Sequence, residues 1–165
     1  MLSLLPKLIY ESICDLTPEI LLRHEIRVLL MDYDNTIAPY TKSAPSEEVL
    51  LWLDRVRKSG IILCVVSNSR KSRASDFCKK HKIECVTNAR KPFQRGISCA
   101  KRRYQSHLGH IALVGDQIYT DVLGANLGGL ISILIRPIHL HNFWLKLRHA
   151  AELPWIILRK RRGVA

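Results

Sequence analysis

The sequence predicts an α/β fold, a mainly parallel sheet of five strands wound twice so that helices cover both faces. Three observations carry this prediction. Short β-branched or aliphatic runs recur at 26–31, 61–66, 83–86, 111–114 and 130–135. Segments of helical character separate them, at 46–59, 71–81, 93–105 and 120–127. Strands alternating with helices in this way are joined by crossovers, which makes neighbours parallel and buries both faces of the sheet. Finally, polar and charged residues follow the first four runs directly. In a Rossmann-like layered sheet, ligands bind beyond the carboxyl ends of the strands.

The best-marked helix is 46–59: it opens at Ser46, carries Glu47 and Glu48 in its first turn, and closes with Lys58 and Gly60. That order matches capping and macrodipole preferences. The other three helices complete four βα crossovers over a core of residues 26–135. Residues 1–25 read as a helical extension, with Leu2, Leu5, Ile9 and Ile13 in a stripe and Thr17-Pro18-Glu19 as an ordinary helix start. Residues 136–165 read as a basic amphipathic segment. There Leu140, Phe143, Trp144, Leu147 and Ala151 fall at helical spacing, with Asn142, Lys146 and His149 opposite.

A chain of 165 residues, 47% hydrophobic and 24% charged, is sized for one globular domain with a substantial core. Its net charge of +12 favours phosphate-bearing partners, whether nucleic acid, anionic lipid or phosphorylated metabolites. The excess lies in two blocks, twelve Lys/Arg in 70–103 and seven in 136–165. The five cysteines are odd in number and lack a C-x-x-C pair, which argues for free thiols in a reducing compartment. Cys78, His81 and Cys85 lack the fourth ligand that structural zinc requires. The longest charge-free apolar stretch, 122–135, is interrupted by glycines and falls short of the ~20 residues of a membrane span.

Chemistry concentrates at the strand ends. The first run is followed by Asp32-Tyr33-Asp34-Asn35-Thr36, two carboxylates whose mutual repulsion a divalent cation would relieve. After the second come Ser67-Asn68-Ser69, small hydrogen-bonding groups able to hold a phosphoryl oxygen. The third is followed by Asn88-Ala89-Arg90-Lys91-Pro92, placing a compact cation near a helix start that also favours anions. The fourth leads into Gly115-Asp116, with Asp121 five residues further on. A nucleophilic carboxylate, an acid/base carboxylate, a hydroxyl, a lysine and an acidic metal site describe phosphoryl transfer. Taken singly, an Asp pair after a strand is a common turn or cap, and Asp121 could cap the helix after it.

These four motifs, in this order across 26–135, resemble those of the haloacid dehalogenase (HAD) superfamily of phosphatases. The strings Asp-Tyr-Asp-Asn-Thr, Val-Ser-Asn-Ser, Arg-Lys-Pro and Val-Gly-Asp-Gln-Ile-Tyr-Thr-Asp further resemble the YqeG subfamily, which includes phosphatidylglycerophosphate phosphatases. The resemblance implies that Asp32 attacks phosphorus and that Asp34 protonates the leaving group and then activates water, with Thr36 fixing their loop. It implies phosphate binding by Ser67 and Lys91, with Asn68 beside them. It implies Mg²⁺ held by Asp32, the main-chain carbonyl of Asp34, and Asp116, with Asp121 behind or in contact. Tyr33 stands where an aliphatic residue is commoner in this family, which bears on local loop packing.

Superfamily members commonly insert a cap after the first or second motif, but neither gap here has room for one. A capless site suits a bulky substrate presented from a surface. The expectation is therefore a Mg²⁺-dependent phosphomonoesterase acting on phosphatidylglycerophosphate at an anionic membrane, peripherally attached on the cytoplasmic or organelle-matrix side. The tail Pro154-Trp155-Ile156-Ile157-Leu158-Arg159-Lys160-Arg161-Arg162 either reads that surface or packs on the sheet. A soluble phosphomonoester or phosphoprotein would use the same chemistry. A nucleic-acid or ribosome-associated role would use the basic blocks, but only Phe77 and Phe93 offer stacking within 70–103.

Overall fold

The computed structural model describes residues 3–41, 44–105, 109–139 and 143–161. Leu2, His107, Leu140, His141, Asn142 and Arg162 lie outside these residues, as do the side chains of Trp144, Lys160 and Arg161. The chain runs β1 (Leu8–Tyr10), α1 (Pro18–Arg23), β2 (Ile26–Met31), α2 (Glu47–Lys58), β3 (Ile62–Val66), α3 (Ser72–His81) and β4 (Glu84–Val86). It continues through α4 (Gln94–Tyr104), β5 (His110–Gly115), α5 (Leu123–Leu127), β6 (Ile131–Ile135) and α6 (Phe143–Arg161).

The sheet is parallel throughout its described pairings, in the order β1-β6-β5-β2-β3-β4. Strand residues alternate between two apolar layers, as the two-residue period of a strand requires. Leu29, Met31, Leu63, Val65, Ala112 and Val114 face Val49, Trp52 and Val56 of α2 and Phe77 of α3. Val28, Leu30, Cys64, Val66 and Leu113 face Ile97 and Ala100 of α4 and Ala125 of α5. The Trp52 indole N–H donates to Leu16 O at 2.8 Å, which ties α2 to the chain ahead of α1.

Two expectations are corrected here. The sheet has six strands, because residues 8–10 pair with β6 and the N-terminal region is a helical extension only over Pro18–Arg23 and a short 3₁₀ turn, Ile13–Asp15. The spacing of Ile9 and Ile13 reads as helical, but the partner of β1 lies more than a hundred residues away in sequence and local pattern cannot reveal it. The segment is also sewn down by side chains. Asn126 Nδ2 donates to Ser3 O at 2.7 Å and Leu5 O at 3.1 Å, and Asn126 Oδ1 accepts from Ser132 Oγ at 2.7 Å. The second correction concerns the helix expected from 120. It opens earlier, as a π turn over Ile118–Val122, in which Asp121 N and Val122 N both donate to Gln117 O.

Replacing Asn126 with Ala orphans these groups. The expected cost is about 1–3 kcal/mol, with hydrogen exchange accelerating in β1 before β2 and β5. Urea denaturation and amide exchange measure both.

Candidate active site

The order of the strands reverses between β2 and β5: the chain proceeds from β2 outward to β3 and β4, then returns to the other side of β2 as β5. Such a switch point leaves a crevice at the carboxyl edge of the sheet. Asp32 ends β2 and Asp116 follows β5, so the two sit on adjacent strands at that crevice, and Asp32 N donates to Val114 O at 2.9 Å. The π turn brings Asp121 back over Gly115, where an added Cβ would overlap the Asp121 carboxylate. This overlap is the physical reason that a glycine precedes Asp116.

Lys91 projects into the same place. Its ammonium donates to Asp32 Oδ1 at 2.6 Å and lies 2.7 Å from Asp121 Oδ1, and all three side chains are almost fully buried. Burial by itself lowers the Lys91 pKa, but Asp121 and Asp32 outweigh it and hold the pKa well above the usual lysine range. Burial likewise lifts the Asp32 carboxyl above the ordinary carboxylate range, with Lys91 opposing and Asp121 and Asp34 adding to the rise.

Asp32, Asp116 and Asp121 each offer an oxygen, all within 4.8 Å of one another. Three carboxylates against one ammonium leave two negative charges, and the donors are hard oxygens. This set fits a divalent cation such as Mg²⁺.

Asp34 sits apart from this cluster. Its Oδ1 accepts from Arg73 Nη1 of α3 at 2.8 Å. The same guanidinium donates to Tyr40 O at 3.0 Å and Pro39 O at 2.9 Å, and lies over the Tyr33 and Tyr40 rings. Arg73 thus pins the whole 33–40 loop to α3. Tyr33 is buried against Phe77, their ring centroids 5.4 Å apart, so the unusual aromatic fills a core position.

Thr36, expected to fix this loop, is buried, but its hydroxyl has no hydrogen-bond partner among the described residues. The loop is held instead by Asn35, at φ +62°, whose side chain accepts from Tyr40 N and whose N–H donates to Ala38 O at 2.8 Å. Asparagine tolerates this left-handed conformation better than most residues.

Ser67 is buried at the end of β3, and its hydroxyl accepts from Ser69 N at 3.1 Å. Asn68, read from sequence alongside the phosphate binders, has its amide committed elsewhere. Its Nδ2 donates to Lys91 O at 2.9 Å and its Oδ1 accepts from Lys91 N at 2.6 Å, so Asn68 sets the backbone of the lysine.

Two residues escape the sequence reading. Arg73 is one of twelve basic residues in its block and carries no local mark. Glu152 of α6 is buried, and its Oε1 accepts from Ile118 N at 2.9 Å, supporting the turn that carries Asp121. As the one carboxylate in 136–165, it offered a signal that was available but unused.

Lys91→Met would leave buried carboxylates facing one another. The expected loss of stability is about 3–5 kcal/mol without divalent cation, with partial recovery when Mg²⁺ is added. Urea melts with and without Mg²⁺ check this.

Comparison with known proteins places the geometry in a family. The family model described as mitochondrial PGP phosphatase matches residues 2–138. The probable phosphatase YqeG of Bacillus subtilis (strain 168) is 29% identical over 160 residues, covering 96% of this chain and 93% of the relative. A crystal structure of an uncharacterized protein from Listeria monocytogenes serotype 4b shares the fold, with a TM-score of 0.52 at 13% identity over 78% of this chain and 98% of that one. A phosphatase family model spanning most of the chain, together with carboxylates and a lysine gathered at the switch point of a HAD-like sheet, shows that this chain belongs to the mitochondrial PGP phosphatase family and is a phosphoric monoester hydrolase.

Proposed function

We propose that the protein removes the terminal phosphate of phosphatidylglycerophosphate through an aspartyl-phosphate on Asp32, with Mg²⁺ as its cation. The observation that carries the chemistry is the convergence of Asp32, Asp116, Asp121 and Lys91 at one crevice. Asp32 attacks phosphorus and the bond to the ester oxygen breaks. Asp34 gives that oxygen a proton, then takes one from the water that cleaves the aspartyl-phosphate and releases inorganic phosphate. Lys91 and the Ser67 hydroxyl meet the phosphoryl oxygens. Asp32, Asp116 and the Asp34 carbonyl would hold Mg²⁺, with Asp121 in reach, and its charge would screen the repulsion between phosphate and Asp32.

The lipid substrate is supported by the family and by the lack of a cap among the described residues. Among the described residues, the stretch after Asp32 holds a loop and α2, and the stretch after Ser67 holds α3 and β4, so neither carries a cap. The outer side of α6 supports membrane contact. Trp155 and Ile156 pack against Ile118, Val122 and Leu134, whereas Phe143, Leu147 and Leu158 are 71%, 50% and 37% exposed. Such a row beside Lys146 suits an anionic interface, whereas Arg159 is turned to the Lys7 carbonyl at 2.6 Å. The packed side of the helix supports the reading in which it lies on the sheet, and the exposed side leaves a surface for the membrane reading. No helix among the described residues is long and apolar enough to cross a membrane.

The basic block divides instead of forming a stripe. Arg70, Lys71, Arg90 and Arg95 lie by the carboxyl edge, while Lys79, Lys80, Lys82 and 101–103 precede the opposite edges of β4 and β5. A continuous nucleic-acid track would need them on one side.

Phosphate release across a panel of lipid and soluble phosphomonoesters tests the substrate. Phosphatidylglycerophosphate should be preferred, chelation should stop turnover reversibly, and Asp32→Asn should be folded and inactive. Preference for a soluble ester would overturn the lipid assignment. Leu147→Asp with Leu158→Asp should weaken sedimentation with phosphatidylglycerol vesicles by about tenfold or more, and unchanged sedimentation would remove α6 from the membrane interface.

A further inference from the structure

A cleft of ≈ 240 Å³ lies between α6 and the carboxyl ends of β1 and β6, and Asp116 forms part of its wall. Ile9, Leu134, Leu153 and Ile156 make it apolar, and Arg136 and His149 stand in it as basic groups. We propose that this cleft holds the non-reacting part of the substrate: Arg136 and His149 bind its diester phosphate, and the apolar wall takes the adjoining glyceride carbons. The inference rests on the phosphatidylglycerophosphate reading above and adds the residues that select it.

The substrate constrains the site. Its two phosphates are separated by one glycerol, so once the terminal phosphate is at Asp32 the second anion must lie within a few bonds of the metal ligands. On the other flank of Asp32, the ends of β3 and β4 are filled by Ser67, Asn68 and the Lys91 loop. The flank beyond Asp116 holds the cleft. Pockets that enclose a whole ligand run to about 300–1,000 Å³, so this smaller space takes a portion of one and leaves the acyl chains outside, beside α6.

The polar groups match an anion. Burial, and next the charge of Arg136, hold His149 below its usual pKa, so its imidazole would meet the anion as an N–H donor. Glu11 also lines the cleft and lies 3.7 Å from Arg136 Nη1, beyond hydrogen-bond distance. A phosphate entering the cleft would share the guanidinium's donors with this exposed ion pair. Arg136 follows β6 directly, so the strand aims it at the same edge as Asp116.

The test uses the full chain with Mg²⁺ and two substrates, short-chain phosphatidylglycerophosphate and phenyl phosphate, which has one phosphate and no glyceride. The readout is the ratio of their kcat/KM values. Arg136→Gln should lower that ratio by about tenfold or more, chiefly through KM for the lipid, and Arg136→Lys should restore part of it. Leu153→Asn, at a partly exposed helical position, should lower the ratio in the same direction. An unchanged ratio in Arg136→Gln, including a parallel loss on both substrates, would overturn the assignment. A parent enzyme that hydrolyses phenyl phosphate but not the lipid would overturn the substrate reading, and this inference with it.

Discussion

The arrangement of the site depends on one buried ammonium. Lys91 lies between Asp32 and Asp121 at 2.6 and 2.7 Å, where each carboxylate would otherwise be a buried charge without a counter-ion. Lone buried charges neutralise themselves by shifting pKa, and a protonated Asp32 would be a poor nucleophile and a poor metal ligand. The ammonium offsets one of the three carboxylate charges and opposes the rise that burial imposes on the Asp32 pKa.

That demand extends into the loops. Lys91 stays in place because Asn68 brackets its peptide from the end of β3. Asp121 returns over Gly115 because the turn after β5 is a π turn, and the first N–H of that turn is held by Glu152 of the C-terminal helix. Asp34 is held by Arg73, which also gathers the carbonyls of the 33–40 loop. Each chemical group is thus positioned by a neighbour from a different crossover, so the constellation is rigid although most of it stands on loops. Through Glu152 and Tyr119, whose hydroxyl donates to Ala151 O at 3.1 Å, α6 reaches the metal-site turn as well as the outside. The C-terminal helix is therefore tied to the turn that carries Asp121.

Much of this was legible in the residues. The five strands of the core, the capped helix at Ser46 and the four loops carrying Asp32, Ser67, Lys91 and Asp116 were placed by patterns of a few consecutive positions. Such patterns are local: apolar runs, cap residues and turn residues act on their immediate neighbours. The site was legible for the same reason, since a layered parallel sheet sends every strand-end loop to one edge.

The sequence by itself therefore determined the layers, the strand ends and which polar and charged residues follow them. Only the tertiary structure decided the sixth strand, because Leu8–Tyr10 is too short to announce itself and pairs with residues far along the chain. It also decided which polar side chains face the crevice: Asn68 turns to the Lys91 backbone, Thr36 yields its place to Asn35, and Arg73 and Glu152 become supports. These are outcomes of hydrogen bonds and charge pairing between segments distant in sequence. Their energies depend on burial and on distances of a few ångströms, which exist only once the chain has packed.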